Sequence, residues 1–238
     1  MKQLILLITL TFTFNSFLIA QDANKAFYEI DNGLRLSIDI IRPILSFTQD
    51  DYTGYEFSGD VGVKPKLRMS MDVGTQTRFE NKNSFEYNTK SNYFKIGVDQ
   101  NFMNFENSTR DIFSIGFRYG IGFVDHSVQN ITIFDSYWGE INWPNENEKF
   151  VAHWTEIVVG MKTPIFKNMS MGWDIRAKLL LSQNNTISDR PYIGGFGQPS
   201  DGKNVRTSLS FHYYIAYRIP FKRKMVWDIP KEKPDENE

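Results

Sequence analysis

Between Phe113 and Phe123 every second residue is bulky and apolar, and the residues between them are Ser114, Gly116, Arg118, Gly120 and Gly122. A period of two marks a β-strand whose two faces meet unlike surroundings. The same alternation recurs over Leu34–Ile40, Tyr55–Lys64, Leu67–Val73, Phe94–Asp99, Glu156–Lys162, Met171–Leu179 and Ser208–Ile219. That makes eight strands. The first run loses phase at Ile41, and Pro43 then removes a ladder donor, so a bulge is expected over 41–43.

The connections run over 48–54, 64–65, 76–92, 104–111, 124–152, 163–168 and 182–206, and each odd-numbered one is longer than its even-numbered neighbours. Long loops at one end and tight turns at the other describe an antiparallel up-and-down barrel. An even strand count brings both termini out at the tight-turn end. The expected fold is all-β, an eight-stranded transmembrane barrel with periplasmic termini.

Alternation alone leaves open which face is outside, because soluble lipocalin-like barrels share the pattern. Residue size decides. Gly62, Gly74, Gly97, Gly116, Gly120, Gly122, Gly160 and Gly172 share the polar face, and Gly59 alone sits on the apolar one. An eight-stranded barrel has little interior room, so its smallest residues belong inside. The same face carries Arg35, Lys66, Arg68, Lys95, Arg118, Lys162, Arg176, Lys178 and Arg218. It also carries Asp39, Glu56, Asp60, Asp72, Asp99, Glu156 and Asp174. Near-balance of charge there implies ion-pair networks in a closed interior rather than an ion pathway. Tyr55, Phe94, Phe113, Phe123, Tyr217 and Phe221 suit interfacial girdles.

Residues 1–20 read as a signal peptide, with Lys2, an apolar stretch over Leu4–Phe14 and a small residue at Ala20. Residues 21–32 follow as an N-terminal periplasmic segment, 33–221 as the barrel and 222–238 as a disordered periplasmic tail rich in Lys, Glu, Asp and Pro. Cysteine is absent, which excludes disulfides, thiol nucleophiles and Cys-based zinc sites. The net charge of −1 offers no basic stripe for nucleic acid.

His126, His153 and His212 have no mutual ligand spacing, so neither a metal nor any other cofactor is assigned. Asp125-His126-Ser127 names triad residue types, but neighbours on an extended chain face opposite ways. Ser210 and His212 share a face and come within hydrogen-bonding reach, but the pair faces the packed interior at mid-strand, far from acyl chains, and a satisfied core histidine is the preferred reading. Tyr137, Trp138, Trp143, Tyr192 and Phe196, in the two longest connections, either pack over the barrel mouth or recognise an external partner.

Tyr93–Asp99 with Asn101-Phe102-Met103, Ile115–Gly120, Tyr137–Gly139, His153-Trp154 through Met171–Trp173, Tyr192–Gly197 and Ala216–Phe221 carry a resemblance. On these segments the chain resembles the uncharacterised outer-membrane β-barrel proteins of Gram-negative bacteria grouped as a domain of unknown function. The resemblance covers roughly residues 33–221. It implies an outer-membrane location, lipid and lipopolysaccharide around the barrel, and a barrel-assembly machinery reading a terminal aromatic such as Phe221. It brings no activity. The expectation is a non-enzymatic barrel for envelope structure or surface-loop binding. The alternatives are a lipid-A-modifying hydrolase or acyltransferase, and a secreted soluble barrel.

Overall fold

The computed structural model describes residues 33–64, 66–82, 85–103, 112–129, 131–135, 137, 139–184, 191–198 and 206–221, and the backbone of 26–29 and 226–229. The proposed signal peptide lies outside these residues. The chain divides into two units. In the smaller, β1 (Ala26–Glu29) pairs antiparallel with a strand at Val226–Ile229, inside the segment expected to be a disordered tail.

The larger unit is a closed barrel. Its strands are β2 (Gly33–Asp39), β3 (Tyr52–Lys64), β4 (Leu67–Lys82), β5 (Phe85–Asn101), β6 (Ile112–Gln129), β9 (Glu146–Pro164), β10 (Met169–Gln183) and β11 (Thr207–Pro220). Every neighbouring pair is antiparallel, and β2 meets β11 to close the ring. Following partners from Leu209 leads through Ala177, Ile157, Phe117, Val98, Met69, Val61 and Leu34 to Ile219. One circuit therefore returns to β11 ten residues further on, the stagger that tilts the strands.

Two expectations are corrected. No bulge occupies 41–43; instead α1 spans Ile41–Thr48. Pro43 sits in its first turn, where a missing N–H costs nothing, and Asp39 Oδ1 accepts the Ile41 N–H at 2.8 Å, satisfying one of the helix's orphan donors. The stretches 76–92 and 124–152 are largely strand rather than loop. β4 and β5 continue to residues 82 and 85, β6 continues to Gln129 and β9 starts at Glu146. Between them β7 (Ile131–Asp135) and β8 (Gly139–Trp143) form a separate hairpin.

The faces are as expected from the glycines. Phe57, Met71, Ile96, Phe117, Ile157, Ile175 and Phe211 are exposed, whereas Glu56, Asp72, Lys95, Arg118, Glu156, Asp174 and Arg176 are buried. A methyl on Gly120 would overlap the Trp154 indole, and one on Gly74 the Tyr93 phenol. At Gly59, on the outer face, it would meet only ordinary contacts at 3.8 Å.

Within single uninterrupted strands this polarity then exchanges. On β6 Phe117 and Ile121 point outward and Arg118 inward; six positions on, Val124 and Val128 are buried while Asp125 is exposed. On β9 Phe150, Ala152 and Trp154 point inward with Asn147 and Lys149 exposed, and from Glu156 onward the charged residue is inside and Ile157 outside. On β5 the outward row passes from Ile96 and Phe94 to Asn92, Lys90 and Asn88. Toward the end bearing the long connections the exterior of these strands thus turns polar, while apolar side chains join Thr89, Ser91 and His126 in the interior.

Candidate functional site

Each of the eight barrel strands sends at least one ionisable side chain into a common buried belt. In order around the wall these are Asp39, Glu56, Asp72, Lys95, Arg118, Glu156, Arg176 and His212. Lys95 Nζ lies 3.2 Å from Glu56, 3.4 Å from Asp72 and 3.7 Å from Glu156. Arg176 reaches Glu56 at 2.7 Å and Asp72 at 3.5 Å, and Arg118 reaches Asp72 at 2.7 Å. Arg42, delivered by α1, bridges Asp39 at 3.2 Å and Glu56 at 2.9 Å. Asp174, 2.6 Å from Arg176, and Lys178 join from β10, so five carboxylates face five basic side chains. Charges buried this deeply are tolerable only when so compensated.

Toward the tight-turn end, Asp60 gathers Arg35, Arg68 and Lys162. These groups line a polar cavity of about 50 Å³ together with Ser70, Asp99, Arg118 and Asp174. That space accommodates water among polar partners rather than an organic ligand.

Above the belt the interior is filled by the turn at Pro191–Gly197. Ile193 and Phe196 are fully buried and pack with Tyr93, Val124, Phe150, Ala152 and Trp154. Gly197 N–H donates to the Ile193 carbonyl at 2.7 Å, a closure that needs positive φ at Gly195 (80°) and Gly197 (105°). Lys178 Nζ donates to the Gly195 carbonyl at 2.6 Å, and Gln76 Oε1 accepts the Gly195 N–H at 2.8 Å. The turn is a plug tied to the wall from two sides.

The expected surface aromatics therefore separate. Phe196 is a core residue and presents nothing to an outside partner, because the glycines around it let the turn fold inward. Tyr192 is half-buried, its hydroxyl 3.3 Å from Gln76 and its ring beneath Arg78; burial pushes its hydroxyl above the usual phenol range. Tyr137 is exposed. Trp143 is placed only by its backbone, opposite Ile131, and Trp138 lies outside the described residues.

The histidines separate too. His126 is buried against Thr89 at 2.8 Å, with Asp125 outward on Lys149 at 3.1 Å, so the sequential trio does not converge. His153 meets the Tyr119 hydroxyl at 2.8 Å. His212 behaves differently: its Nε2 lies 2.9 Å from Ser210 Oγ and its Nδ1 2.7 Å from Asp39 Oδ2. Asp39, 173 positions away in sequence, could not have been paired with it from spacing. Asp39, Glu56 and His212 also bring ligand atoms within 4.8 Å of one another. The positive charge a metal would supply there already comes from Arg42, Arg176 and Lys95, so the trio does not fit a cation.

Residues 1–224 match the model of a family described as Domain of unknown function (DUF6048). Among functionally curated proteins none matches. Three solved structures are similar at low identity. The attachment invasion locus protein Ail of Yersinia pestis has 10% identity and a TM-score of 0.44, covering 80% of this chain and 100% of that one. Neisserial surface protein A has 9% identity and a TM-score of 0.39, covering 79% and 95%. CarO2 of Acinetobacter baumannii has 11% identity and a TM-score of 0.40, covering 81% and 100%.

Proposed function

The chain belongs to the DUF6048 family, and from its geometry we propose that it is a non-conducting barrel of the Gram-negative outer membrane whose long-connection end stands outside the cell. The observation that carries this reading is the change from an apolar to a polar exterior along β5, β6 and β9, matched on β6 and β9 by apolar side chains turning inward. An apolar exterior around a charged interior suits hydrocarbon, and a polar exterior around an apolar interior suits water. One strand meeting both in succession crosses a boundary between the two solvents. A soluble lipocalin-like barrel has no reason to invert.

The plug and the belt together fill the bore. The barrel then serves as a scaffold for envelope structure or for surface binding, with the β7–β8 hairpin and exposed Tyr137 as the accessible parts. Both termini lie on the periplasmic side, with residues 1–20 removed on export. Surrounding partners are outer-membrane lipid and lipopolysaccharide, with barrel-assembly machinery acting during insertion.

The test is electrophoresis of the detergent-solubilised protein with and without boiling, alongside alkaline extraction of cell envelopes. A heat-dependent mobility shift and retention in the membrane pellet are expected. Release into aqueous buffer without detergent would overturn the reading.

A further inference from the structure

The ring is not sealed evenly. β2 ends at Asp39, opposite Tyr214, and the last backbone bond across that seam runs from Ile40 N–H to the Tyr213 carbonyl at 2.8 Å. Beyond it, among the described residues, β11 has β10 as its strand partner on one side and none on the other. Leu209 and Phe211, four and two residues from Tyr213, direct their amides to the same open side because backbone direction repeats every two residues. α1 stands next to this gap in place of a strand.

Behind the gap lies the Ser210–His212–Asp39 relay. We propose that it is a serine hydrolase centre, cleaving carboxylic esters of acyl amphiphiles that enter laterally from the lipid between α1 and β11. The proposal rests on the membrane reading above.

Three observations converge on it. First, the relay has the order that activates a hydroxyl: nucleophile to base at 2.9 Å, base to orienting carboxylate at 2.7 Å. Asp39 is itself held by the Ile41 N–H at 2.8 Å and Arg42 Nε at 3.2 Å, so His212 Nδ1–H faces a fixed acceptor and Nε2 is left to take the serine proton. Second, Ser210 is half-buried at the edge of the charged belt, whereas His212 and Asp39 are buried. Third, the two elements bordering the gap carry uncovered apolar side chains: Leu209 is 74% and Phe211 52% exposed on β11, and Ile44 53% and Phe47 87% on α1. An open strand edge is costly in hydrocarbon unless an acceptor meets its amides. An ester carbonyl carried on an acyl chain supplies that acceptor, and the Phe211 N–H, next to the nucleophile, is placed to hold the oxyanion.

In the first step Ser210 Oγ bonds to the ester carbonyl carbon while His212 takes its proton and passes it to the departing alkoxide, which leaves as an alcohol. Water then attacks the acyl-serine and gives a proton to His212, which returns it to Ser210 Oγ as the carboxylic acid leaves. One ester and one water become one acid and one alcohol.

The full-length protein, in detergent and shown to be folded by its heat-dependent shift, is treated with a fluorophosphonate and analysed by intact mass and peptide mapping. The expected result is one adduct, on Ser210. His212→Asn should slow it by about 10³-fold, in line with loss of a triad base. Ser208→Ala, the neighbouring inward serine, should label normally. Asp39→Asn should lower the maximal labelling rate and leave the half-saturating probe concentration unchanged, which general loosening of the fold would not do. In mixed micelles p-nitrophenyl myristate should be hydrolysed faster than p-nitrophenyl butyrate. A folded protein that takes no label on Ser210, or labels equally as His212→Asn, overturns the hydrolase; preference for the butyrate overturns the amphiphile. Absence of the heat shift strikes the membrane reading instead.

Discussion

Trp154 Nε1 donates to Glu156 Oε1 across 2.7 Å, and these two residues, neighbours on the inner face of β9, stand on either side of the change in lining. The indole belongs to the apolar core around the plug, and the carboxylate belongs to the charged belt. Trp154→Phe removes the donor and leaves a buried carboxylate short of a partner. A loss of about 1–3 kcal/mol is expected, measured from urea unfolding in lipid vesicles. Gly120→Ala should cost a similar amount, roughly 1–3 kcal/mol by overpacking. Adding Trp154→Phe to it should be less than additive, because the smaller ring clears the methyl. Gly59→Ala, on the outer face, should leave the unfolding midpoint nearly unchanged.

Lys95 is fully buried among Glu56, Asp72 and Glu156. Lys95→Met leaves those carboxylates short of a cation and should cost about 3–5 kcal/mol. Combining it with Glu56→Gln restores the charge balance, and part of the loss should return. If the double variant is less stable than the single one, the belt is not held by charge balance.

Trp173 lies on the outer face of β10, its ring stacked 6.4 Å from Phe211, while Trp154 has no exposed surface. In single-tryptophan variants folded into vesicles, brominated acyl chains should quench Trp173 strongly and Trp154 weakly. The reverse order would contradict the assignment of faces.

Phe196→Ala empties the centre of the plug and should cost about 3–5 kcal/mol of local packing. Hydrogen exchange should rise across 191–198, with the belt strands still protected and the electrophoretic shift intact. Uniform loss of protection would mean that the barrel cannot stand without its plug.

The barrel strands and their inner and outer faces were legible because each strand keeps an unbroken apolar row on its exposed face beside the charged belt. The extensions of β4, β5, β6 and β9 were not, for a physical reason. Past Phe123 the alternation continues, but Val124 and Val128 take the even positions that Arg118 held, so a search tuned to one phase sees noise. α1 was hidden by Pro43, which suits a first helical turn as well as a strand end. Arg42 was therefore missing from the inner charges, although it bridges Asp39 and Glu56. Ser210 and His212 were visible as a pair on one strand. Their acidic partner was not, because Asp39 meets them only when the first and last barrel strands join.

That junction also fixes the order of assembly. Until the residues through Pro220 have been made, β2 has no companion on its outer side, and every earlier fragment carries two raw strand margins. The wall therefore cannot close before β11 is present, and a chain cut short ahead of it is left as an open ribbon.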